Sequence, residues 1–208
     1  MNVMENQTSM IEYKLHQFTK STFKTRAEKL RQQPKVFLFT GLPSSGKSTL
    51  ADYLGYILSN LGFTTYILDG DFVRNGLNRD LTFSDSDIDE NIRRVSHVSD
   101  ILTDAGLVTL ACFVSPKKRH REQFKKVLGD KFYEIYINTS IEECKKRDVR
   151  GLYKMAEEGK APNMVDIDKY YEAPENPDLI IDTVNFSIDE NLNQLENFVL
   201  PKITFFGS

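Results

Sequence analysis

Residues Gly41 to Thr49 read G-L-P-S-S-G-K-S-T and follow directly on the apolar run V-F-L-F-T. This stretch constrains the chain more than any other. Glycines at 41 and 46 let the backbone turn tightly with its N–H groups pointing inward, and the amphipathic pattern that begins at Lys47 presents a helix N-terminus to whatever the loop encloses. Gly41-x-x-x-x-Gly46-Lys47-Ser48, with a strand before it and a helix after it, is the loop that holds a nucleoside triphosphate. Gly41, Leu42, Pro43, Ser44, Ser45, Gly46, Lys47, Ser48 and Thr49 are therefore the expected ATP cradle. Lys47 is expected to reach the β- and γ-phosphates, and the Ser48 hydroxyl to ligate Mg²⁺. The alternative, a chance glycine-rich turn at a helix start, does not account for strand, loop, Lys-Ser-Thr and helix in register.

Beyond the loop the chain alternates short apolar runs with helical patterns. A helix is expected from Lys47 to about Asn60, then the strand T-T-Y-I-L. A helix over about Ser86 to Ala105 precedes L-V-T-L-A-C-F, and one over Pro116 to Leu128 precedes F-Y-E-I-Y-I. D-L-I-I-D reads as a last strand. Ser187 and Glu190 have the capping-box spacing of a final helix that buries Ile188, Leu192, Leu195 and Val199. Strands alternating with helices predict an α/β fold, a central parallel β-sheet flanked by helices on both faces. Residues about 148–171, with mixed charge, two glycines and a short helical core around Leu152 to Glu158, break the rhythm and read as a mobile lid. Residues 1–34 read as a partly helical N-terminal extension, with Ile11, Leu15 and Phe18 at helical spacing, and 35–208 as the kinase domain.

Composition narrows the partners. A net charge of −3 argues against a broad nucleic-acid face, and no apolar run approaches the ~20 residues of a membrane span. The polar start lacks the order of a signal peptide, so a cytoplasmic enzyme is expected. Cys112 and Cys144 form no ligand or disulfide pattern, and His16, His97 and His120 are scattered. No metal beyond the Mg²⁺ that accompanies ATP is expected.

The second strand runs into L-D-G-D-F-V-R, which puts Asp69, Asp71 and Arg74 at the carboxyl edge of the sheet, where open α/β sheets bind ligands. Asp69 is expected to orient Mg²⁺, if only through water. Asp71 is expected to take a hydroxyl proton, and Arg74 to pair with an anionic acceptor. An Asx-type turn with a surface arginine is the plainer reading. There is no N-K-x-D guanine signature and no second domain for mechanical coupling, so a kinase acting on a small acceptor fits best.

L-D-G-D-F-V-R-N-G-L-N-R-D-L-T-F-S-D-S-D-I-D-E-N-I-R-R, F-V-S-P, R-D-V-R-G-L-Y-K and Y-E-A-P-E-N-P, in that order, closely resemble adenylylsulfate kinases over about residues 25–183. The resemblance implies a P-loop kinase fold, often a homodimer. The reaction it implies moves the γ-phosphoryl of ATP, with Mg²⁺, to the ribose 3′-hydroxyl of adenosine 5′-phosphosulfate. It places Asp71 at the acceptor hydroxyl, Arg74 and Asn91 on the acceptor nucleotide, and Phe83 against its base. Arg147 would stack on the ATP adenine, the alternative being a solvated charge at a helix end. Ser115 matches a serine described as a phosphoserine intermediate, although direct in-line transfer needs none and a helix N-cap before Pro116 is the plainer role.

Departures from the family pattern fall on the acceptor side. Asp87-Ile88 stands where the family has Asp-Arg. Met164-Val165-Asp166 stands where it has Phe-Thr-Gly, and Tyr170 where it has proline. Ser115-Pro116-Lys117-Lys118 replaces Ser-Pro-Tyr-Arg, which turns an aromatic into a cation at Lys117 beside the Lys118 charge and suggests Lys118 as an acceptor contact. A second acceptor therefore competes: cytidine diphosphoramidate, phosphorylated on its 3′-hydroxyl by similar enzymes of capsule biosynthesis. A third reading, a non-catalytic nucleotide-binding regulatory module, does not need Lys47, Ser48, Asp69 and Asp71 together.

Overall fold

The computed structural model describes residues 24–159 and 170–205. The expected helix with Ile11, Leu15 and Phe18, and the Met164-Val165-Asp166 departure, lie outside them.

Five parallel strands form one sheet in the order β2-β3-β1-β4-β5. They are β1 (Val36–Thr40), β2 (Thr65–Asp69), β3 (Val108–Cys112), β4 (Phe132–Asn138) and β5 (Leu179–Asp182). All five residues of β1 are buried, as an unbroken V-F-L-F-T run requires at the centre of a sheet covered on both faces. Its side chains alternate between two cores. Phe37 and Phe39 face one side with Leu54, Leu58, Leu195 and Val199. Val36 and Leu38 face the other with Ile92, Val95 and Phe124. Each fully buried side chain of this kind contributes about 1.5–3 kcal/mol.

The first face is covered by α1 (Lys47–Asn60) and, at the C-terminus, α7 (Ile188–Ile203). The second carries α3 (Asp85–Asp104) and α4 (Lys118–Leu128). Shorter helices, α2 (Gly70–Asn75), α5 (Ile141–Arg147) and α6 (Leu152–Glu157), sit at strand ends. Residues before β1 join the body through Gln32. Its fully buried side-chain amide donates to Thr64 and Gly106 carbonyls at 2.9 and 2.7 Å and accepts from the Thr64 N–H at 2.8 Å.

β2, at the edge of the sheet, buries only Leu68. Two local expectations change. The final helix does carry the Ser187–Glu190 capping box, but Ile188 is 42% exposed. As the first helical residue it borders the cleft at the carboxyl ends of the strands instead. Helix α4 starts at Lys118 with Lys117 as its cap, two residues later than Pro116 suggests. Ser115 adopts φ 44, which turns the chain before the helix begins, so the N-cap role for Ser115 is overturned.

Candidate active site

Thirty residues from the carboxyl ends of the strands enclose a single cleft of about 910 Å³, with the phosphate loop along one side and α2 and α3 along the other. Gly41 (φ 154), Ser44 (φ 61) and Gly46 (φ 103) bend the loop. Helix α1 has no side-chain cap and no acidic residue in its first turn, so its leading N–H groups and positive dipole end are left for an anion. A Cβ on Gly41 would stand 2.6 Å from the Ile137 carbonyl, which leaves glycine as the residue that fits there.

Lys47 folds back on this loop. Its Nζ donates to the Gly41 and Leu42 carbonyls at 3.0 and 2.6 Å and to Ser45 Oγ at 3.4 Å. Burial lowers its pKa from the usual 10.5 to about 8, against the smaller opposing pull of nearby groups that include Asp69. The ammonium thus occupies the loop's own carbonyls until a phosphate offers it a better partner.

Ser48 Oγ donates to Asp69 Oδ2 at 2.6 Å, and Asp69 Oδ1 accepts the Asp71 N–H at 2.9 Å as the cap of α2. The plainer reading of Asp69 as a turn-forming residue holds, and it coexists with the functional one. A hydroxyl and a carboxylate oxygen this close, one residue from Lys47, make a hard-oxygen pair that suits Mg²⁺ sharing its shell with phosphates and water. Among the described residues no group of three or more His, Cys, Asp and Glu side chains could hold a metal by itself.

Asp71 lies on the same cleft and is ion-paired with Arg150. Arg74 stacks its guanidinium 4.1 Å over the Phe83 ring and donates to the Thr82 carbonyl at 3.2 Å, with burial lowering its pKa. Asn91, nearly buried on α3, has its Oδ1 held by Asn78 Nδ2 at 2.8 Å, so its own amide N–H group is the end left to donate into the cleft. Ile88 and Phe83 line the cleft beside them.

Arg147 ends α5, and its guanidinium is fixed on all sides. It donates to Glu143 at 3.0 Å, to Thr183 Oγ1 and carbonyl at 3.0 and 2.8 Å, and to the Ser45 carbonyl at 3.3 Å. A solvated helix-end charge does not describe it; it is a rigid plane bordering the loop. Ser115 is buried on the cleft wall with its Oγ unpartnered, while its carbonyl accepts from Arg121 at 3.0 Å.

Lys118 is not brought to the cleft. Its side chain is 60% exposed and reaches Glu175 at 3.3 Å, and its backbone N–H donates to Glu172 at 2.6 Å. Nor is the charge of Lys117 free for an acceptor: it pairs with Asp85 at 2.8 Å. Conversely, Arg150 and Thr183 border the cleft without a role in the sequence reading, as does Tyr170, which the sequence marks only as a replacement for proline. Arg150 lies inside the quoted R-D-V-R-G-L-Y-K block and was there to be found; Thr183 carries no sequence signal.

A family model described as adenylylsulphate kinase matches residues 33–182. An adenylyl-sulfate kinase of Bacteroides thetaiotaomicron is 44% identical over 183 residues, covering 88% of this chain and 91% of the relative. One from Staphylococcus epidermidis is 45% identical over 179 residues, 86% and 90% of the two chains. Among solved structures, the APS kinase CysC of Mycobacterium tuberculosis in complex with AMPPNP and APS superposes with a TM-score of 0.77 at 39% identity, covering 81% of this chain and 98% of that one. With that family model over most of its length and relatives at 44–45% identity, the chain belongs to the adenylylsulphate kinase family.

Proposed function

We propose that the chain transfers the γ-phosphoryl group of ATP to the ribose 3′-hydroxyl of adenosine 5′-phosphosulfate, giving ADP and 3′-phosphoadenosine 5′-phosphosulfate. The observation that carries the reading is the opening of Lys47, the Ser48–Asp69 pair and Asp71 onto one cleft, a donor-phosphate site and a base within reach of the same space.

The loop N–H groups and the α1 N-terminus take the β- and γ-phosphates, and Lys47 exchanges its loop carbonyls for phosphate oxygens. Ser48 and Asp69 would hold Mg²⁺, which would supply positive charge to offset the negative charge of the transferring phosphates. Arg74, Phe83 and Asn91 orient the acceptor so that its 3′-oxygen lies in line with the γ-phosphorus. Asp71 accepts the 3′-hydroxyl proton as the new O–P bond forms. The old P–O bond breaks with its electron pair on ADP, where Lys47 stabilises the charge. Arg147 supports the adenine of ATP. The segment from residue 148 onward acts as a lid, and Arg150 releases Asp71 as substrates enter. Direct transfer leaves Ser115 as a cleft-lining hydroxyl rather than a phosphorylated intermediate.

Ile88, on the acceptor wall where the family pattern has arginine, favours a second acceptor, cytidine diphosphoramidate, which gives up that guanidinium contact. Purified chain, Mg²⁺ and ATP with each acceptor in turn decide the matter, read as ADP release and mass of the 3′-phosphorylated product. Turnover with adenosine 5′-phosphosulfate that vanishes in Lys47→Ala is the expected result. Turnover with cytidine diphosphoramidate alone reassigns the acceptor, and no acceptor-dependent turnover overturns the reading. A homodimer and a cytoplasmic location belong to the same proposal. A hexameric APS kinase from Thiobacillus denitrificans shares the fold at a TM-score of 0.63 and 28% identity, and no described helix is long and apolar enough to cross a membrane.

A further inference from the structure

Tyr170 borders the cleft together with Phe83, Ile88 and Arg74. Two charged side chains fix its ring. Its hydroxyl donates to Asp85 Oδ1 at 2.5 Å, Lys117 Nζ sits 4.2 Å over the ring, and Lys117 closes the triangle by donating to Asp85 Oδ2 at 2.8 Å. The backbone that carries Tyr170 is tied down as well. Tyr171 places its hydroxyl 3.0 Å from Thr40 Oγ1 and stacks on Tyr136, and the Glu172 N–H donates to the Pro116 carbonyl at 2.7 Å.

Tyr171 and Glu172 supply the anchoring, and Tyr170 packs in part against the small cluster of Cys144 and Tyr153 while also bordering the cleft. The Asp85 carboxylate in the triangle is 64% exposed, and an exposed ion pair adds at most about 1 kcal/mol, so the triangle is a poor investment for stability alone. Its geometry instead directs an aromatic ring to the cleft. Asp85 is the first residue of α3, the helix that brings Ile88 and Asn91 to the same wall one and two turns later. The family pattern quoted above has tyrosine at position 117 and proline at 170. This chain has the cation at 117 and the ring at 170, now in contact with each other.

We propose that Tyr170 is a specificity-determining residue of the acceptor pocket, a wall against which the planar base of the acceptor nucleotide packs, with Asp85 and Lys117 as its positioning residues. Lys117 occupies one face of the ring, and the base takes the side that borders the cleft. The proposal rests on the reading of the reaction as phosphorylation of a nucleotide acceptor.

The chain contains no tryptophan, so Tyr170→Trp installs a single fluorescent reporter at the wall. Its emission is expected to change on addition of the acceptor nucleotide used by the unmodified protein, and to stay constant with Mg²⁺ and ATP alone. Tyr170→Ala is expected to raise the acceptor KM about 5-fold or more, as loss of one base stack does, with the ATP KM unchanged. Asp85→Asn is expected to raise the acceptor KM in the presence of Tyr170 and to have no further effect in Tyr170→Ala, which a merely structural carboxylate would not do. An unmodified protein with no acceptor-dependent turnover removes the underlying reaction and this proposal with it. Normal turnover with an unchanged acceptor KM in Tyr170→Ala, or a Tyr170→Trp signal that ATP alone produces, overturns this proposal and leaves the reaction standing.

Discussion

Gly41→Ala and Gly46→Ala look alike in the sequence, and the structure separates them. Both glycines have positive φ, 154 and 103 respectively, so an alanine at either one is strained by about 1–3 kcal/mol. At 41 the new Cβ also stands 2.6 Å from the Ile137 carbonyl and 3.0 Å from Ser45 Oγ; at 46 the nearest atoms are 3.9 Å away, on Arg147 and Thr183. Ile137 lies in β4, hydrogen-bonded into the sheet beside β1, and cannot retreat. The loop must therefore move by several tenths of an ångström, an overpacking cost of about 1–3 kcal/mol more. Gly41→Ala should lose about 2–6 kcal/mol, a shift of about 1–2 M in the urea midpoint at an m-value of about 3 kcal/mol/M, out of a total that is typically about 5–15 kcal/mol. Gly46→Ala should lose only the first part, as should Gly62→Ala, a turn glycine at φ 89 with nothing within 4 Å of its Cβ. ATP binding should sort differently. Gly46→Ala places its methyl beside Arg147 at the mouth of the cradle and should raise the ATP KM, while Gly62→Ala leaves it alone. A Gly41→Ala midpoint equal to that of Gly62→Ala would refute the packing argument.

Three further outcomes follow from the site. Burial holds Lys47 at about 8 in the folded chain against its usual 10.5, so the unfolded chain binds this proton more tightly; stability should rise between pH 8 and 10.5 and gain nothing from Lys47 below 8, a slope that urea melts of Lys47→Met should lack. Asp71→Asn should keep the ATP KM and lower kcat by about 10²- to 10⁴-fold, since an amide takes no proton; unchanged kcat with lost ATP affinity would show that Asp71 serves the donor side instead. Ile88→Arg should lower the KM for adenosine 5′-phosphosulfate by about 10-fold through one charge-assisted contact, and no change would mean that the arginine lost at this position never mattered here.

The parts of the fold visible in the sequence are those set by local chemistry. V-F-L-F-T is apolar on both faces and lies at the sheet centre; the glycine spacing from 41 to 46 builds the loop; Ser187 and Glu190 close the last helix start. Local chemistry misleads where a neighbour distant in the chain decides. Proline suits the first position of a helix, yet Ser115 bends the chain just before Pro116 and His120 Nδ1 accepts the Lys117 N–H at 3.1 Å, so α4 starts at Lys118. The strand β2 is only partly buried because, among the described residues, no strand pairs with its outer side.

The same difference explains why the donor side of the site was legible and the acceptor side only in part. In the proposed reaction the phosphates are gripped by backbone N–H groups and by Lys47 and Ser48, all within nine consecutive residues, so that the motif is the proposed site. The proposed acceptor wall is assembled from α2, α3 and Tyr170, far apart in the chain. There a run such as Lys117-Lys118-Arg119 reveals how many cations are present and nothing of what they face. Asp85 claims Lys117, Glu175 claims Lys118 and Asp89 claims Arg119, from 30 to 57 residues away. Charge that reads in the sequence as an anion site is thus spent on holding α3, α4 and the Tyr170 segment together. What the cleft leaves for the proposed acceptor is Arg74 with its ring partner Phe83, the Asn91 amide and the proposed wall of Ile88 and Tyr170, a surface that would select by shape and stacking more than by charge.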